Sequence, residues 1–155
     1  MRRSAIRVLD VACSTGEHAR LLAEHYAVDG LDVENAFVQL AQHKVPGGHF
    51  VVGDMRRFQM GRTYDVIQCL FSSIGYLTSA TDVVAALTCF REHLSHEGII
   101  LVEPWFTPEN WHAGHVAMSP PVDRPDIKHC RMSVSGRQGD LSLIRFHYLI
   151  ARPEG

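Results

Sequence analysis

The sequence predicts an α/β fold with a mostly parallel, Rossmann-like sheet, and three observations support this prediction. Short apolar strands alternate with helices along residues 6–103, an order typical of parallel sheets with right-handed crossovers. The first strand runs through small residues, VLDVACSTG (Val8–Gly16), into a helix. About twenty residues further on, a second strand ends in the carboxylate of Asp32. Together these features are typical of the nucleotide-binding half of a doubly wound fold.

Length and composition predict one water-soluble domain of 155 residues, with 46% hydrophobic and 21% charged residues. A net charge of −2 gives no basic surface, so nucleic acid is not an expected partner. No apolar run reaches the roughly 18 residues that cross a membrane, and no signal-type apolar core follows Met1. The four cysteines show no paired spacing, which favours free thiols and a cytoplasmic location.

Hydrophobic periodicity and turn residues define the elements of the first part of the chain. Strands are predicted over 6–11, 28–31, 50–52, 64–71 and 99–103, and helices over 15–26, 34–43 and 81–94. The residues expected to face the core from these three helices are Ala19, Leu22, Ala23 and Tyr26, then Phe37, Leu40 and Ala41, and finally Val83, Leu87, Phe90 and Leu94.

The character of the sequence changes after Trp105. Residues 106–126 are proline-rich and predict a long loop. Strand patterns follow over 128–135 and 141–151, joined by a turn at 136–140, which predicts an antiparallel hairpin insertion within the same domain. In the second strand the alternating series Ser142, Ile144, Phe146, Tyr148 and Ile150 is expected to be buried.

The small-residue turn could serve three kinds of nucleotide ligand, and its spacing favours one. A nicotinamide or flavin site needs G-x-G-x-x-G, whereas Ala12, Ser14 and Gly16 are two residues apart. An ATP-binding P-loop needs a lysine, and the turn has none. The spacing from Asp10 through Gly16 is that of S-adenosylmethionine (SAM) methyltransferases. The alternative is an ordinary α/β domain with a tight turn.

Other residues at strand ends agree with SAM. Asp32 can accept two ribose hydroxyls, and Asp54 can accept the adenine amino group while Met55 lies on the ring. The alternative role for Asp54 is the N-cap of a short helix over 55–58. The end of the fourth strand borders the expected crevice with Cys69, Leu70 and Phe71. Neither His93-x-x-His96 nor His112-x-x-His115 has a third ligand nearby in the sequence, so no metal site is expected.

Several segments resemble the class I SAM-dependent methyltransferases, and within them the N,N-dimethyltransferases of nucleotide-linked amino sugars of the desosamine and mycaminose type. The segments are LDVACSTGEH (Leu9–His18), GLDV (Gly30–Val33), GDMRRF (Gly53–Phe58), CLFSSIGYL (Cys69–Leu77), VEPWFTPENW (Val102–Trp111) and RFHYLIA (Arg145–Ala151). The resemblance implies a sheet order of 3-2-1-4-5 with a C-terminal hairpin insertion, SAM as cofactor, and N-methylation of an amino sugar carried on a nucleotide.

The resemblance also implies roles for individual residues. Those expected to line the methionine end of SAM are Asp10, Ala12, Cys13, Ser14 and Gly16, with Asp32 at the ribose and Asp54 and Met55 at the adenine. Tyr76 lies where a relative carries a histidine near the reacting amine. Glu103 and Trp105 are expected to face the sugar, with Glu103 holding the ammonium. The alternatives are packing of Tyr76 on the fourth strand and an N-cap or loop hydrogen bond for Glu103.

Two departures from the family qualify this expectation. Ser14 replaces a glycine, and it either caps the next helix through Ser14-x-x-Glu17 or crowds the cofactor. The chain is also shorter than family members at both ends, so the strand over 99–103 is expected at a sheet edge. Self-association, as a homodimer or larger aggregate, and weak activity are then expected. The alternatives are methyl transfer to another small amine or hydroxyl, or a catalytically impaired SAM-binding remnant.

Overall fold

A computed structural model describes residues 6–154, and the chain divides into two compact units, Met1–Trp105 and Phe106–Gly155. The first unit holds five strands, three α-helices and one 3-10 helix. In chain order they are β1 (Arg7–Val11), α1 (Glu17–Leu22), β2 (Ala27–Asp32), α2 (Asn35–Lys44), β3 (Phe50–Val52), β4 (Tyr64–Cys69), the 3-10 helix Ser73–Tyr76, α3 (Ala80–Glu92) and β5 (Leu94–Val102).

The five strands form a parallel sheet in the order β3-β2-β1-β4-β5, which confirms the predicted order. Apolar residues on the two faces of the sheet build two separate cores. One contains Leu9, Ile67 and Phe90, and the other contains Val8, Ala19 and Ala41. Because all strands run the same way, their carboxyl ends lie along one edge of the sheet. In the described part of the chain, β5 is the last strand on its side, as expected.

Helix α1 is shorter than the predicted helix at both ends. It begins only at Glu17, because the preceding Gly16 is left-handed, with φ of 77°. It ends at Leu22, and residues 23–26 continue as hydrogen-bonded turns. Only Ala19 of this helix is buried, and Tyr26 of the predicted apolar face is 40% exposed.

The predicted buried faces of the other two helices are partly wrong. In α2 the buried stripe is Val38 and Ala41, while Phe37 and Leu40 are exposed. In α3 the buried residues are Ala86, Cys89 and Phe90, while Leu87 is exposed and Val83 is half-buried. Both helices are rotated by about one position from the predicted face, because their contacts with the sheet and not their own periodicity fix the rotation.

Strand β5 begins earlier than predicted, at Leu94, which therefore lies outside α3. Its pairing with β4 is irregular: Tyr64 pairs with Leu94, and the next paired residues are Val66 and Ile99. The extra residues opposite this step include Gly98, so the glycine belongs to a bulge and not to the end of a helix. At the other end, β4 stops at Cys69 because Phe71 and Ser72 turn the chain.

The second unit is an antiparallel sheet of β6 (Val116–Met118), β7 (Val122–Asp123), β8 (Lys128–Gln138) and β9 (Leu141–Ala151). The hairpin β8–β9 is confirmed, with a two-residue turn at Gly139 in place of the predicted five-residue turn. The predicted loop over 106–126 contains the two short strands β6 and β7. The alternating series that was expected to be buried in β9 is exposed or only half-buried, so that prediction is wrong.

Across residues 6–154, no helix is long and apolar enough to cross a membrane.

Candidate functional site

The turn after β1 is built from residues that adopt left-handed backbone. Ala12 has φ of 58°, Ser14 has φ of 49° and Gly16 has φ of 77°. The Cys13 amide donates to the Leu31 carbonyl at 3.0 Å, which folds the turn over the end of β2. A Cβ on Gly16 would lie 2.7 Å from Ala41 Cβ, so only glycine fits there. This turn brings main-chain atoms to the carboxyl edge of the sheet.

Ser14 does not cap α1, so the predicted capping box is wrong. The N-cap residue is Gly16, without a side-chain hydrogen bond. Glu17 instead pairs with Lys44, whose Nζ lies 2.6 Å from Oε1. Ser14 is exposed, and its backbone N–H donates to Asp32 Oδ2 at 2.9 Å. Its left-handed φ explains why a glycine is suited to this position.

Asp32 is buried at the end of β2 and links two backbone segments. Its Oδ2 accepts from the Ser14 amide, and its Oδ1 accepts from the Glu34 amide at 3.0 Å. The side chain is only 8% exposed. Each carboxylate oxygen can accept a second hydrogen bond, so Asp32 can hold the turn and bind a diol at once.

Asp10 lies deeper in the same site, 2% exposed in β1. Gln68 Nε2 donates to its Oδ1 at 3.0 Å, while Oδ2 has no hydrogen-bond partner among the described residues. Burial raises the pKa of Asp10; the Gln68 hydrogen bond and His18 act in the opposite direction, and Asp32 adds to the rise. A buried carboxylate oxygen without a protein partner is costly, which is consistent with a donor or cation supplied by a ligand.

Cys13 is buried in the turn, and its thiol is not activated. Burial raises its pKa to about 12, and the carboxylates of Asp10 and Asp32 add to the rise. Cys69, at the end of β4, is fully buried, and burial raises its pKa to about 11. Both side chains therefore act as small packing residues at the edge of the site.

Asp54 follows β3 and is held by an arginine two residues on. Arg56 donates to both carboxylate oxygens, and its Nη2 lies 2.6 Å from Asp54 Oδ2. These hydrogen bonds lower the pKa of Asp54 to about 2. Arg56 also reaches Asp82 Oδ1 at 2.9 Å. No helix forms over 55–58, so the N-cap alternative for Asp54 is wrong, and Met55 is half-buried against the core.

The fourth strand ends in a turn with two consecutive left-handed residues, Phe71 (φ 52°) and Ser72 (φ 56°). Phe71 is 76% exposed, and its ring centroid lies 5.2 Å from that of His18. Leu70 is half-buried, and its carbonyl accepts from the Ser73 amide at 3.2 Å. The turn thus presents an aromatic ring at the carboxyl edge of the sheet.

The residues expected at the acceptor lie on this turn and just after β5. Tyr76 ends the 3-10 helix and is 85% exposed, so its expected alternative, packing on β4, is wrong. Glu103 Oε2 accepts from the Phe71 amide at 2.8 Å, which is the loop hydrogen bond weighed as its alternative role. Trp105 is half-buried: a Cβ on Gly75 would lie 2.8 Å from Trp105 Cβ, so the Trp105 side chain packs directly on the backbone of Gly75.

Sequence reasoning missed two residues of this site, Gln68 and His18. Gln68 is the polar residue in the buried part of β4, and that position was a usable signal. His18 carried no signal, because its contact with Phe71 spans distant parts of the chain. Within residues 6–154 no three His, Cys, Asp or Glu side chains are arranged to hold a metal ion.

Comparison with known proteins identifies the class first. The methyltransferase domain family matches residues 8–98. This match covers more than half of the chain, and the sheet has the order of the class I fold. The chain therefore belongs to the methyltransferase domain family, with the class I SAM-dependent methyltransferase fold.

Within the family, the chain is similar to amino-sugar enzymes. It is 39% identical over 97% of its length to the dTDP-3-amino-3,6-dideoxy-alpha-D-glucopyranose N,N-dimethyltransferase of Streptomyces fradiae. It is 34% identical over 96% to the corresponding 3,4,6-trideoxy-sugar enzyme of Streptomyces venezuelae. The chain spans 59% and 63% of the length of these two relatives.

Solved structures of amino-sugar methyltransferases are also similar to this chain. A SAM-bound amino pentose methyltransferase from Micromonospora echinaspora superimposes with a TM-score of 0.88 at 34% identity, over 99% of this chain and 65% of that one. A sugar N-methyltransferase from a Streptoalloteichus species gives a TM-score of 0.91 at 34% identity, over 99% of this chain and 62% of that one.

Proposed function

We propose that this chain binds SAM at the carboxyl ends of β1, β2 and β4, with Asp54 after β3, and transfers its methyl group to the amino group of a nucleotide-linked amino sugar. The observation that carries the proposal is the pair of buried carboxylates, Asp10 and Asp32, beside a left-handed small-residue turn. The unpartnered Oδ2 of Asp10 is the strongest single sign of a ligand.

The donor set of SAM matches this pair of carboxylates. SAM carries an ammonium group, a sulfonium, two ribose hydroxyls and an adenine amine, all of which are cations or hydrogen-bond donors. Asp10 and the turn residues Ala12, Cys13 and Ser14 face the methionine end, and Asp32 accepts from the ribose. Asp54 accepts from the adenine amine beside Met55. Three N–H groups of Arg56, its amide, Nε and Nη2, already donate to Asp54. Since a carboxylate offers about four acceptor positions, about one is left for the adenine amine.

Bound SAM would supply a methyl group activated by a positively charged sulfur. The chain then has little acid or base chemistry to perform, and its task is to hold a neutral amine about 3 Å from the methyl carbon and in line with the breaking bond. The exposed hydroxyl of Tyr76 can orient that amine or relay its proton to water. Phe71 and Trp105 provide aromatic surface for a sugar ring. Glu103 lies beside them, because its carboxylate accepts a hydrogen bond from the Phe71 amide.

The relatives support an amino sugar carried on dTDP as the acceptor. The test is transfer of a labelled methyl group from SAM to dTDP-3-amino-3,6-dideoxyglucose, with dTDP-glucose as the matched hydroxyl acceptor. The proposal expects one and then two methyl groups on the amine and none on the hydroxyl. Methylation of the hydroxyl, or methylation only of amines that are not amino sugars, would favour a methyltransferase for another small amine or hydroxyl. SAM binding without methyl transfer would favour a catalytically impaired SAM-binding remnant.

We also propose a cellular compartment and binding partners for this chain. A cytoplasmic reaction is compatible with the four free cysteines, and nucleic acid is not an expected partner. The exposed Ile99 and Leu101 on the terminal strand β5 support pairing with a second chain. Sedimentation tests this: a concentration-dependent dimer supports it, and a monomer across the concentration range contradicts it.

A further inference from the structure

We propose that Glu103 is a positioning residue, whose carboxylate fixes the turn Phe71–Ser72 and through it the acceptor-facing residues Phe71 and Tyr76. This inference deepens the proposed function and rests on it for the identity of the reaction. It changes the expected role of Glu103, because holding the substrate ammonium would make Glu103 a catalytic residue.

The turn needs an external partner because its backbone is strained. A left-handed conformation is unfavourable for a non-glycine residue, and two occur in succession here, one of them at a bulky phenylalanine. Such strain persists only where the surroundings impose it. The amide of Phe71 points at Glu103 Oε2, and the 2.8 Å bond is of the strong, charge-assisted kind.

The segment Glu103–Trp105 makes three further contacts, one with the turn and two with the chain on either side of it, and we call this segment the β5 clamp. The Glu103 amide donates to the Cys69 carbonyl at 3.0 Å, so Glu103 binds the chain on both sides of Leu70. Ser72 Oγ donates to the Pro104 carbonyl at 2.9 Å. Trp105 then packs against Gly75, where no side chain would fit without displacing it.

The clamp reaches the residues that face the acceptor. Gly75 lies next to Tyr76 in the 3-10 helix, and Phe71 itself carries the exposed ring beside His18. A shift in the turn would therefore move both aromatic side chains. Misplacement of these side chains would lower the rate of methyl transfer by disturbing the alignment of the reacting groups, without any proton transfer by Glu103.

The experiment compares Glu103→Gln with Glu103→Ala in the intact protein, with Glu97→Ala as the control at an exposed glutamate of β5. Glutamine keeps a carbonyl oxygen for the Phe71 amide, and alanine does not. We expect kcat to fall by less than about threefold in Glu103→Gln and by about tenfold or more in Glu103→Ala, the scale for losing a charge-assisted hydrogen bond. The shape of the pH profile of kcat should be unchanged in Glu103→Gln.

A second variant tests the strain directly. Ser72→Gly removes the cost of the left-handed conformation at this position, and Ser72→Ala is its control because both variants lose the contact of Ser72 Oγ with the Pro104 carbonyl. In the Glu103→Ala background we expect a higher rate with Ser72→Gly than with Ser72→Ala. Equal losses in Glu103→Gln and Glu103→Ala, together with loss of the acidic limb of the pH profile in Glu103→Gln, would overturn the proposal and make Glu103 a catalytic carboxylate.

A readout without catalysis separates this inference from the proposed function. Hydrogen exchange at the Phe71 amide should be faster in Glu103→Ala than in the wild type, and unchanged in Glu97→Ala. Faster exchange in a protein that methylates no amino sugar would support the clamp and refute the proposed function. Unchanged exchange at Phe71 in Glu103→Ala would refute the clamp whatever the enzyme does.

Discussion

Replacement of Asp32 by asparagine tests the cofactor site at its best-defined residue. The two carboxylate oxygens accept from the amides of Ser14 and Glu34 at 2.9 and 3.0 Å, and the side chain is 8% exposed. Asparagine keeps one oxygen and places an NH₂ group against the other amide. One hydrogen bond to a charged acceptor is lost, which is worth about 1.5–3 kcal/mol, and the ribose loses an acceptor as well.

We expect Asp32→Asn to weaken S-adenosylhomocysteine binding by about tenfold or more, which corresponds to at least about 1.4 kcal/mol. Isothermal titration calorimetry measures the affinity, and urea unfolding verifies that the variant is folded under the same conditions. Asp123→Asn is the control, because Asp123 is an exposed aspartate paired with Lys128. If Asp32→Asn folds and binds with wild-type affinity, Asp32 does not bind the ribose.

Three further predictions concern the same edge of the sheet. Ser14→Gly should tighten S-adenosylhomocysteine binding about threefold, because it removes a Cβ without removing the backbone N–H that contacts Asp32; equal or weaker affinity in calorimetry would exclude crowding by Ser14. Asp10→Asn should raise the free energy of unfolding at pH 7 and weaken cofactor binding, because burial of the charged form is removed. A variant that is less stable in urea unfolding would contradict this account of Asp10. Arg56→Ala should lower the melting temperature at pH 7 and have less effect as the pH falls below about 4. Because the pKa of Asp54 is lowered in the folded protein, its pairing with Arg56 stabilises the fold at pH values above the ordinary aspartate pKa. This contribution is lost as the pH falls towards about 2. A difference in melting temperature between wild type and Arg56→Ala that is the same at pH 7 and pH 3 would show that the pair does not contribute in this way.

The order of the elements could be predicted from the sequence because it depends on local signals. Strand β3 over 50–52 and strand β9 over 141–151 have the predicted bounds. The turn after β1 was recognised from small residues whose left-handed conformations are a local property of the backbone. Such features need no knowledge of what lies across the fold.

The features that could not be predicted depend on contacts between distant residues. Gln68 and Asp10 are 58 residues apart in sequence, and Phe71 and Glu103 are 32 apart. No periodicity or spacing connects such pairs. For the same reason a cap of the following helix was one of the two roles weighed for Ser14, although its amide contacts Asp32, 18 residues away.

The faces of the helices show a related limit. Helix α2 offers several apolar residues around its surface, and packing on the sheet selects Val38 and Ala41 over Phe37 and Leu40. In β9 the alternation was correct for a strand, but alternation does not say whether either face is covered. The candidate site residues lie at or near strand ends, so their positions do not depend on which face of a helix is buried.

The cofactor site is proposed to lie at the carboxyl ends of β1, β2 and β4, with Asp54 after β3. An NMR titration of the labelled protein with S-adenosylhomocysteine tests this directly, with inorganic pyrophosphate as the control ligand, because it carries neither ribose nor adenine. We expect saturable shifts of the amides of Ser14, Asp32 and Asp54 with S-adenosylhomocysteine and no matching shifts with pyrophosphate. Saturable binding that leaves these three amides unshifted, or no binding at millimolar ligand, would contradict the account.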